Sequence, residues 1–312
     1  MALDNRPPAH EQLQFFIDQT SNTPPVTTAV IHPVDANSIN GAIEAAERSI
    51  IDPILIGPED KIRAIAEMEG LDISQYRIIN TKHSHESAEK SVAMARSRDV
   101  RILMKGGIAT DEMLKAIIHK DKGVRTERRL SHIFMLEVPN YHKPLMITDA
   151  AINVIPDMNV KRDIIQNAIF FAHAIGIAEP KVAILAAIEK VKSTMQSTVD
   201  AAALCKMADR GQITGGLLDG PLAFDNAISL EAAHDKHIVS SVAGDADILL
   251  APDLEAANML SKQLIYLAGA KSAGLVLGAQ VPIVLTSRAE KTLGRLASCA
   301  LAALQATHGE VL

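Results

Sequence analysis

Short runs of β-branched and aliphatic residues alternate along the chain with longer stretches in which apolar positions recur every three or four residues. The first pattern predicts buried strands and the second amphipathic helices. Residues 27–32, 53–56, 77–79 and 101–104 read as strands, and 37–49, 59–69, 87–96 and 111–119 as helices between them. Strands separated by helices rather than tight turns predict parallel βαβ units. The residues ahead of the first strand predict a helix and a proline-containing lead-in.

The rhythm then changes. Two strands, 131–138 and 143–148, are separated only by Pro139-Asn140-Tyr141-His142, a hairpin-length connection. A helix over 162–175, a strand over 182–186 and a helix over 199–210 follow, and Gly215-Gly216 marks a break. A strand over 247–250 leads into a helix carrying Asn258. Strands over 274–277 and 281–285 precede a long amphipathic helix near the end of the chain. The expectation is an α/β fold of two domains with largely parallel sheets, the second beginning near Lys143.

Composition narrows the field. With 312 residues and 48% hydrophobic content, the chain can bury a large core. The net charge of -6 leaves no basic field to recruit nucleic acid or anionic lipid. Aromatics are 3% with no tryptophan, which argues against stacking platforms for single strands. The N-terminus lacks a signal-peptide order and no apolar run reaches spanning length, so neither membrane nor secretion is expected. Two cysteines, Cys205 and Cys299, sit far apart in helical apolar patterns and read as buried thiols. The 11 histidines show no HExxH or comparable spacing, so no metal site is expected. The composition is that of a cytoplasmic enzyme.

Several segments carry candidate chemistry. The strand over 281–285 ends on Ser287-Arg288, a hydroxyl and a guanidinium fork at the carboxyl end of a strand, where open α/β sheets bind ligands. Arg288 can hold a phosphate bidentately and Ser287 can donate to an oxyanion; equally, Thr286 and Ser287 can cap the next helix. Lys105-Gly106-Gly107 follows a strand, and Thr110-Asp111 opens a helix. Paired glycines admit an anion to backbone N–H groups, with Lys105 adding charge and Thr110 a hydroxyl, although a plain turn capped by Thr110 accounts for them too. The Gly-Lys-Ser/Thr ending of a P-loop is missing. Asp149 and Asn153 follow a strand and either orient a substrate or make an Asx turn. Asp219 and Asp225 lie in a stretch that reads as a Gly/Pro-rich loop, where one carboxylate can act as a base; otherwise Asp219 holds the Gly220-Pro221 turn and Asp225 caps a helix. Asp253 and Glu255 suit the first turn of a helix, while Asn258 among small neighbours is harder to explain structurally.

Taken in order, KGGIATDEMLKAI (105–117), ITDAAINVIPD (147–157), DGPLAFDNAIS (219–229), SVAGDADILLAPDLEAANML (241–260) and GAKSAGLVLGAQVPIVLTSR (269–288) resemble the phosphate acetyl/butyryl transferase family. The resemblance spans nearly all the chain from about residue 25, and GPLAFDNAIS with LTSR resembles the butyryltransferase branch most. It implies acyl-CoA + phosphate ⇌ coenzyme A + acyl phosphate by direct attack, with coenzyme A as a substrate and no tightly bound cofactor. It also implies two α/β domains facing a cleft, residues 1–144 with 274–312 and residues 145–273, and a homodimer. Acyl phosphate and inorganic phosphate are the other implied partners. Ser287 would contact the reacting carbonyl oxygen, Arg288 the phosphoryl group, and Thr110, Asp149 and Asn153 match the family's polar positions.

Two departures stand out. The acetyl enzymes carry an aspartate soon after the Ser-Arg pair, where this chain has Gly294 and offers Glu290 instead. They also carry an arginine near Leu114. A carboxylate such as Glu290 or Asp219, or a positive field, must then help form the thiolate. Two other readings follow: an acyl-CoA-binding or regulatory protein that has lost catalysis, and a metal-dependent hydroxyacid dehydrogenase. Arg125, Arg128, Arg129 and Lys271 are basic candidates for the coenzyme A phosphates, each also explained as a solvated charge.

Overall fold

The computed structural model describes residues 11–285 and 291–309. The described residues divide into two compact units: an N-terminal unit of Leu13–Arg128 with the described residues from Ala273 onward, and a central unit of Arg129–Ser272 with Glu11 and Gln12.

In the N-terminal unit, α1 (Gln12–Gln19) precedes an alternation of strands and helices: β1 (Val26–Ile31), α2 (Ala36–Glu47), β2 (Ile51–Gly57), α3 (Glu59–Glu69), β3 (Ile78–Asn80), α4 (Ser84–Arg96), β4 (Ile102–Lys105) and α5 (Thr110–Ile117). β1, β2 and β4 are almost wholly buried, as strands inside a sheet covered on both faces must be, while β3 at the edge is half-exposed. Local chemistry sets the helix ends. Asp35 caps α2 by accepting from Ser38 N–H at 3.0 Å, and Gly70, at φ 68°, closes α3 in the left-handed region.

In the central unit, β5 (Ser131–Glu137) and β6 (Leu145–Thr148) form the expected antiparallel hairpin. Then come α6 (Met158–Ala174), β7 (Lys181–Leu185), α7 (Gln196–Asp209), β8 (Leu217–Leu222), α8 (Phe224–Ile228), α9 (Leu230–Asp235), β9 (Ile248–Leu250) and α10 (Leu254–Tyr266). The order is β5-β6-β9-β7-β8, parallel from β6 to β8. Leu136, Ile147, Ala183, Leu222 and Leu249 anchor its core. A partly buried ionic cluster ties the hairpin to β7 and to the residues just before β9: Lys143 Nζ lies 2.9 Å from Asp245 and 2.8 Å from Asp247, and Lys181 Nζ 2.6 Å from Asp245. Burial works to raise the Asp245 carboxyl, but hydrogen bonds from Lys181 and Lys143 outweigh it and hold the group well below the usual carboxylate range.

The chain then completes the N-terminal unit with β10 (Lys271–Leu277), β11 (Ile283–Val284) and α11 (Thr292–His308). This sheet runs β3-β2-β1-β4-β11-β10, parallel except for β10. The expected amphipathic terminal helix is instead enclosed: every residue from Leu296 to Leu304 is buried. Its small residues, Ala297, Ser298, Cys299, Ala300, Ala302 and Ala303, let neighbouring elements approach on all sides.

The reading of 219–229 as a loop is corrected. Asp219 and Gly220 lie within β8, where Asp219 pairs with Ala183 of β7. A Cβ on Gly220 would come within 2.8 Å of Ile184, so the glycine serves close strand approach rather than a turn. Pro221 is tolerated because β8 is the edge strand and its register shifts there.

Candidate active site

The N-terminal unit places a ligand-binding edge between β1 and β4. From β1 the chain lays β2 and β3 on one side and then crosses to put β4 on the other. Such a switch point opens a crevice at the carboxyl ends of the two strands. His32 follows β1 there and Lys105 ends β4. Gly106 N–H donates to the Ile31 carbonyl at 2.9 Å and Gly107 N–H to the His32 carbonyl at 2.7 Å. A Cβ on Gly106 would come within 2.8 Å of the His32 carbonyl carbon, and one on Gly107 within 2.8 Å of Asp35 Oδ2. Gly106 is therefore demanded by close backbone approach, Gly107 is crowded by the Asp35 carboxylate, and both N–H groups are engaged inside the protein. Lys105 Nζ reaches the Gly106 carbonyl at 3.3 Å.

Thr110 is the first residue of α5 rather than its cap. Ala109 occupies the cap position and contributes no side-chain bond, so the leading N–H groups of α5 lack a side-chain acceptor from it. Beside β4, β11 runs parallel with Ile283 level with Leu103 and Val284 level with Met104. Its carboxyl end thus arrives at the same edge as Lys105. Ser287, Arg288 and Glu290 follow β11 in the sequence and lie outside the described residues. Gly294 is buried in the first turn of α11 and brings no side chain to replace a carboxylate.

In the central unit, Asp149 organises the segment after β6. Its Oδ1 accepts from the backbone N–H groups of His132 (3.1 Å), Ala151 (3.0 Å) and Ile152 (3.1 Å). Its Oδ2 accepts from Asn153 N–H (3.0 Å) and the Asn153 side-chain amide (2.5 Å). Asn153 Nδ2 also donates to the Leu130 carbonyl, and Asn258 Nδ2 donates to the Ala150 carbonyl from α10. These three polar residues shape one loop, and the carboxylate is an internal hub. His132, missed in the sequence, stacks edge-on against Phe134 with ring centroids 4.5 Å apart. Its Nδ1 is buried with no hydrogen-bond partner among the described residues. Burial brings its pKa down to about 4 against the pull of Asp149, so the ring is neutral.

Asp225 sits in the first turn of α8, whose cap position is Ala223, so it does not cap that helix. Its carboxylate pairs with Lys236 at 3.3 Å, and Lys236 also meets Glu189 at 2.5 Å. Asp219 Oδ1 accepts from Gly220 N–H at 2.8 Å. Asp253 caps α10 through Ala256 N–H at 2.9 Å. Lys271 is held by Glu137 at 2.6 Å rather than simply solvated. Among the described residues no three His, Cys, Asp or Glu side chains gather as metal ligands, and no helix is long and apolar enough to cross a membrane.

Comparison with known proteins places this geometry. The family model described as Phosphate acetyl/butaryl transferase matches residues 86–303. A phosphate acetyltransferase of Rickettsia felis is 52% identical over 97% of this chain and 88% of its own. One of Rhizobium meliloti is 56% identical over 91% of this chain and 90% of its own. The crystal structure of a branched-chain phosphotransacylase from Enterococcus faecalis V583 superposes with a TM-score of 0.80 at 27% identity, covering 91% of this chain and 99% of that one. In sequence and in fold, then, the chain belongs to the phosphate acetyl/butaryl transferase family and is an acyltransferase.

Proposed function

We propose that the protein transfers an acetyl group between acetyl phosphate and coenzyme A at the carboxyl edge of the N-terminal sheet. The observation that carries this is the family match over most of the chain, with relatives at 52% and 56% identity named for acetyl transfer. Whole-chain identity outweighs the two short motifs, GPLAFDNAIS and LTSR, that point towards the butyryl branch.

The chemistry asks little of a cofactor. The coenzyme A thiolate attacks the acyl carbonyl carbon, a C–S bond forms, and the bond from that carbon to the bridging oxygen breaks, its electron pair leaving on the phosphate oxygen. The thiol proton passes to a carboxylate, for which Glu290 is our candidate. Ser287 donates to the tetrahedral oxyanion and Arg288 holds the phosphoryl group. Lys105, at the end of β4, adds positive charge, and the uncapped start of α5 at Thr110 offers N–H groups. Asp149, Asn153 and Asn258 act by holding the loop after β6 in shape.

A homodimer is the finer part of this reading. It is supported by exposed apolar side chains on the central unit, with Val154 63%, Ile155 86% and Met259 59% exposed. Light scattering at micromolar concentration reads it directly. The two free thiols accord with a reducing, cytoplasmic setting. The acyl group is tested by offering coenzyme A with acetyl, propionyl and butyryl phosphate: the highest kcat/KM belongs to acetyl phosphate. A butyryl preference would move the protein to the other branch.

A further inference from the structure

His32 sits where three elements meet and uses its whole structure to join them. Its N–H donates to the Ile56 carbonyl of β2 at 2.7 Å. Its carbonyl accepts from Gly107 N–H at 2.7 Å, beyond the end of β4, and from Val34 N–H at 2.9 Å. Its ring reaches α4, with Nδ1 3.1 Å from Ser87 Oγ. Ser87 Oγ also lies 3.1 Å from the His83 carbonyl and 2.8 Å from Thr81 Oγ1. A hydroxyl has one hydrogen, and giving it to His83 leaves Ser87 accepting from both His32 Nδ1–H and Thr81. The imidazole is then a donor at Nδ1.

The backbone at this residue is uncommon. His32 has φ 58°, a left-handed conformation in which a residue with a Cβ is held only by its surroundings. That conformation presents its carbonyl to the turn that follows β4, and the two glycines of that turn pack against it so closely that no Cβ fits at Gly106. The residue is 8% exposed. Burial, joined by the Lys61 charge and by His83, lowers its pKa against the opposing pull of Glu112 and Asp35, which keeps the ring a neutral donor.

We propose that His32 is a positioning residue for the phosphoryl end of the substrate: tethered to Ser87, it holds the left-handed backbone that locks the Lys105-Gly106-Gly107 turn against β1. This rests on the reading that acyl phosphate binds at that edge. It assigns a role to a residue whose side chain need not touch the substrate, and it predicts that the phosphate site loosens while coenzyme A binding does not.

The test is inorganic phosphate binding by calorimetry, with KM for acetyl phosphate and for coenzyme A, in Ser87→Ala, His32→Gly and His32→Asn. Gly permits the left-handed conformation without strain but, lacking the tether, no longer fixes it; Asn tolerates that conformation and keeps a donor. Ser87→Ala and His32→Gly weaken phosphate and raise KM for acetyl phosphate about five- to tenfold, the effect of one hydrogen bond, with KM for coenzyme A within about twofold. His32→Asn recovers most of the loss. Equal rises in both KM values, unchanged phosphate affinity in His32→Gly, or no rescue by Asn would overturn the proposal. If the wild type binds phosphate but transfers no acetyl group, the functional reading fails while the phosphate titrations still decide the role of His32. If the wild type binds no phosphate, both fail.

Discussion

The side-chain amide of Asn153 donates to Asp149 Oδ2 at 2.5 Å, completing a set of five hydrogen bonds around a carboxylate that is 3% exposed. Four of those five donors are backbone N–H groups, so Asp149 substitutes for secondary structure in the loop after β6. Asp149→Asn replaces acceptors with a donor pair and is expected to cost on the order of 2–3 kcal/mol in urea unfolding. A variant of wild-type stability with a raised KM would show instead that Asp149 binds substrate directly.

His132 makes the central unit sensitive to acid. An unfolded histidine titrates near pH 6.5 and the folded one near 4, so the unfolded chain binds more protons between those values. The contribution of His132 is complete above about pH 6.5 and is lost as pH falls towards 4. Thermal midpoints measured from pH 7.5 to 4.5 should fall more steeply for the wild type than for His132→Gln. Parallel curves would remove His132 from the account.

Lys161 Nζ and Asp200 Oδ2 pair at 2.7 Å between α6 and α7, both nearly excluded from water. Removing one partner strands a buried charge. Asp200→Ala is expected to cost about 3–5 kcal/mol, and the double replacement Lys161→Met with Asp200→Leu to recover most of it. Equal losses in the single and double variants, by chemical denaturation, would count against a desolvated pair.

Cys205 is pushed up to about 12, first by burial and then by the Asp219 and Asp209 charges. At pH 8 roughly one thiol in ten thousand is thiolate, and Cys299 is wholly buried. A disulfide reagent should therefore find almost no thiol in the native protein and two after denaturation. Fast labelling of the native chain would contradict this.

How much of this was legible in the sequence depends on how local the cause is. The limits of α3 could be read from its own residues because Gly57-Pro58 precedes it and Gly70 ends it. The start of α6 could not: its first turn, Met158 to Lys161, mixes apolar and polar residues with no clear face, and the Asp157 cap at Val160 N–H (2.9 Å) sets it. Gly220-Pro221 misled because a turn and an edge strand at close approach ask for the same two residues. The glycines after β4 were visible as a motif, but their partner, the carbonyl of His32, is brought there by sheet order. His32 and His132 carry no sequence mark, since a left-handed φ and a buried, unpartnered nitrogen arise only from tertiary packing.

The most direct test of the account is acyl transfer by the purified protein, following thioester formation from coenzyme A and acetyl phosphate in the wild type and Arg288→Ala. The account predicts turnover in the wild type and a loss of at least about a hundredfold in kcat/KM in the variant, the effect of removing a group that stabilises transition-state charge. A wild type that forms no thioester with any short acyl phosphate, or an Arg288→Ala variant as active as the wild type, would contradict it.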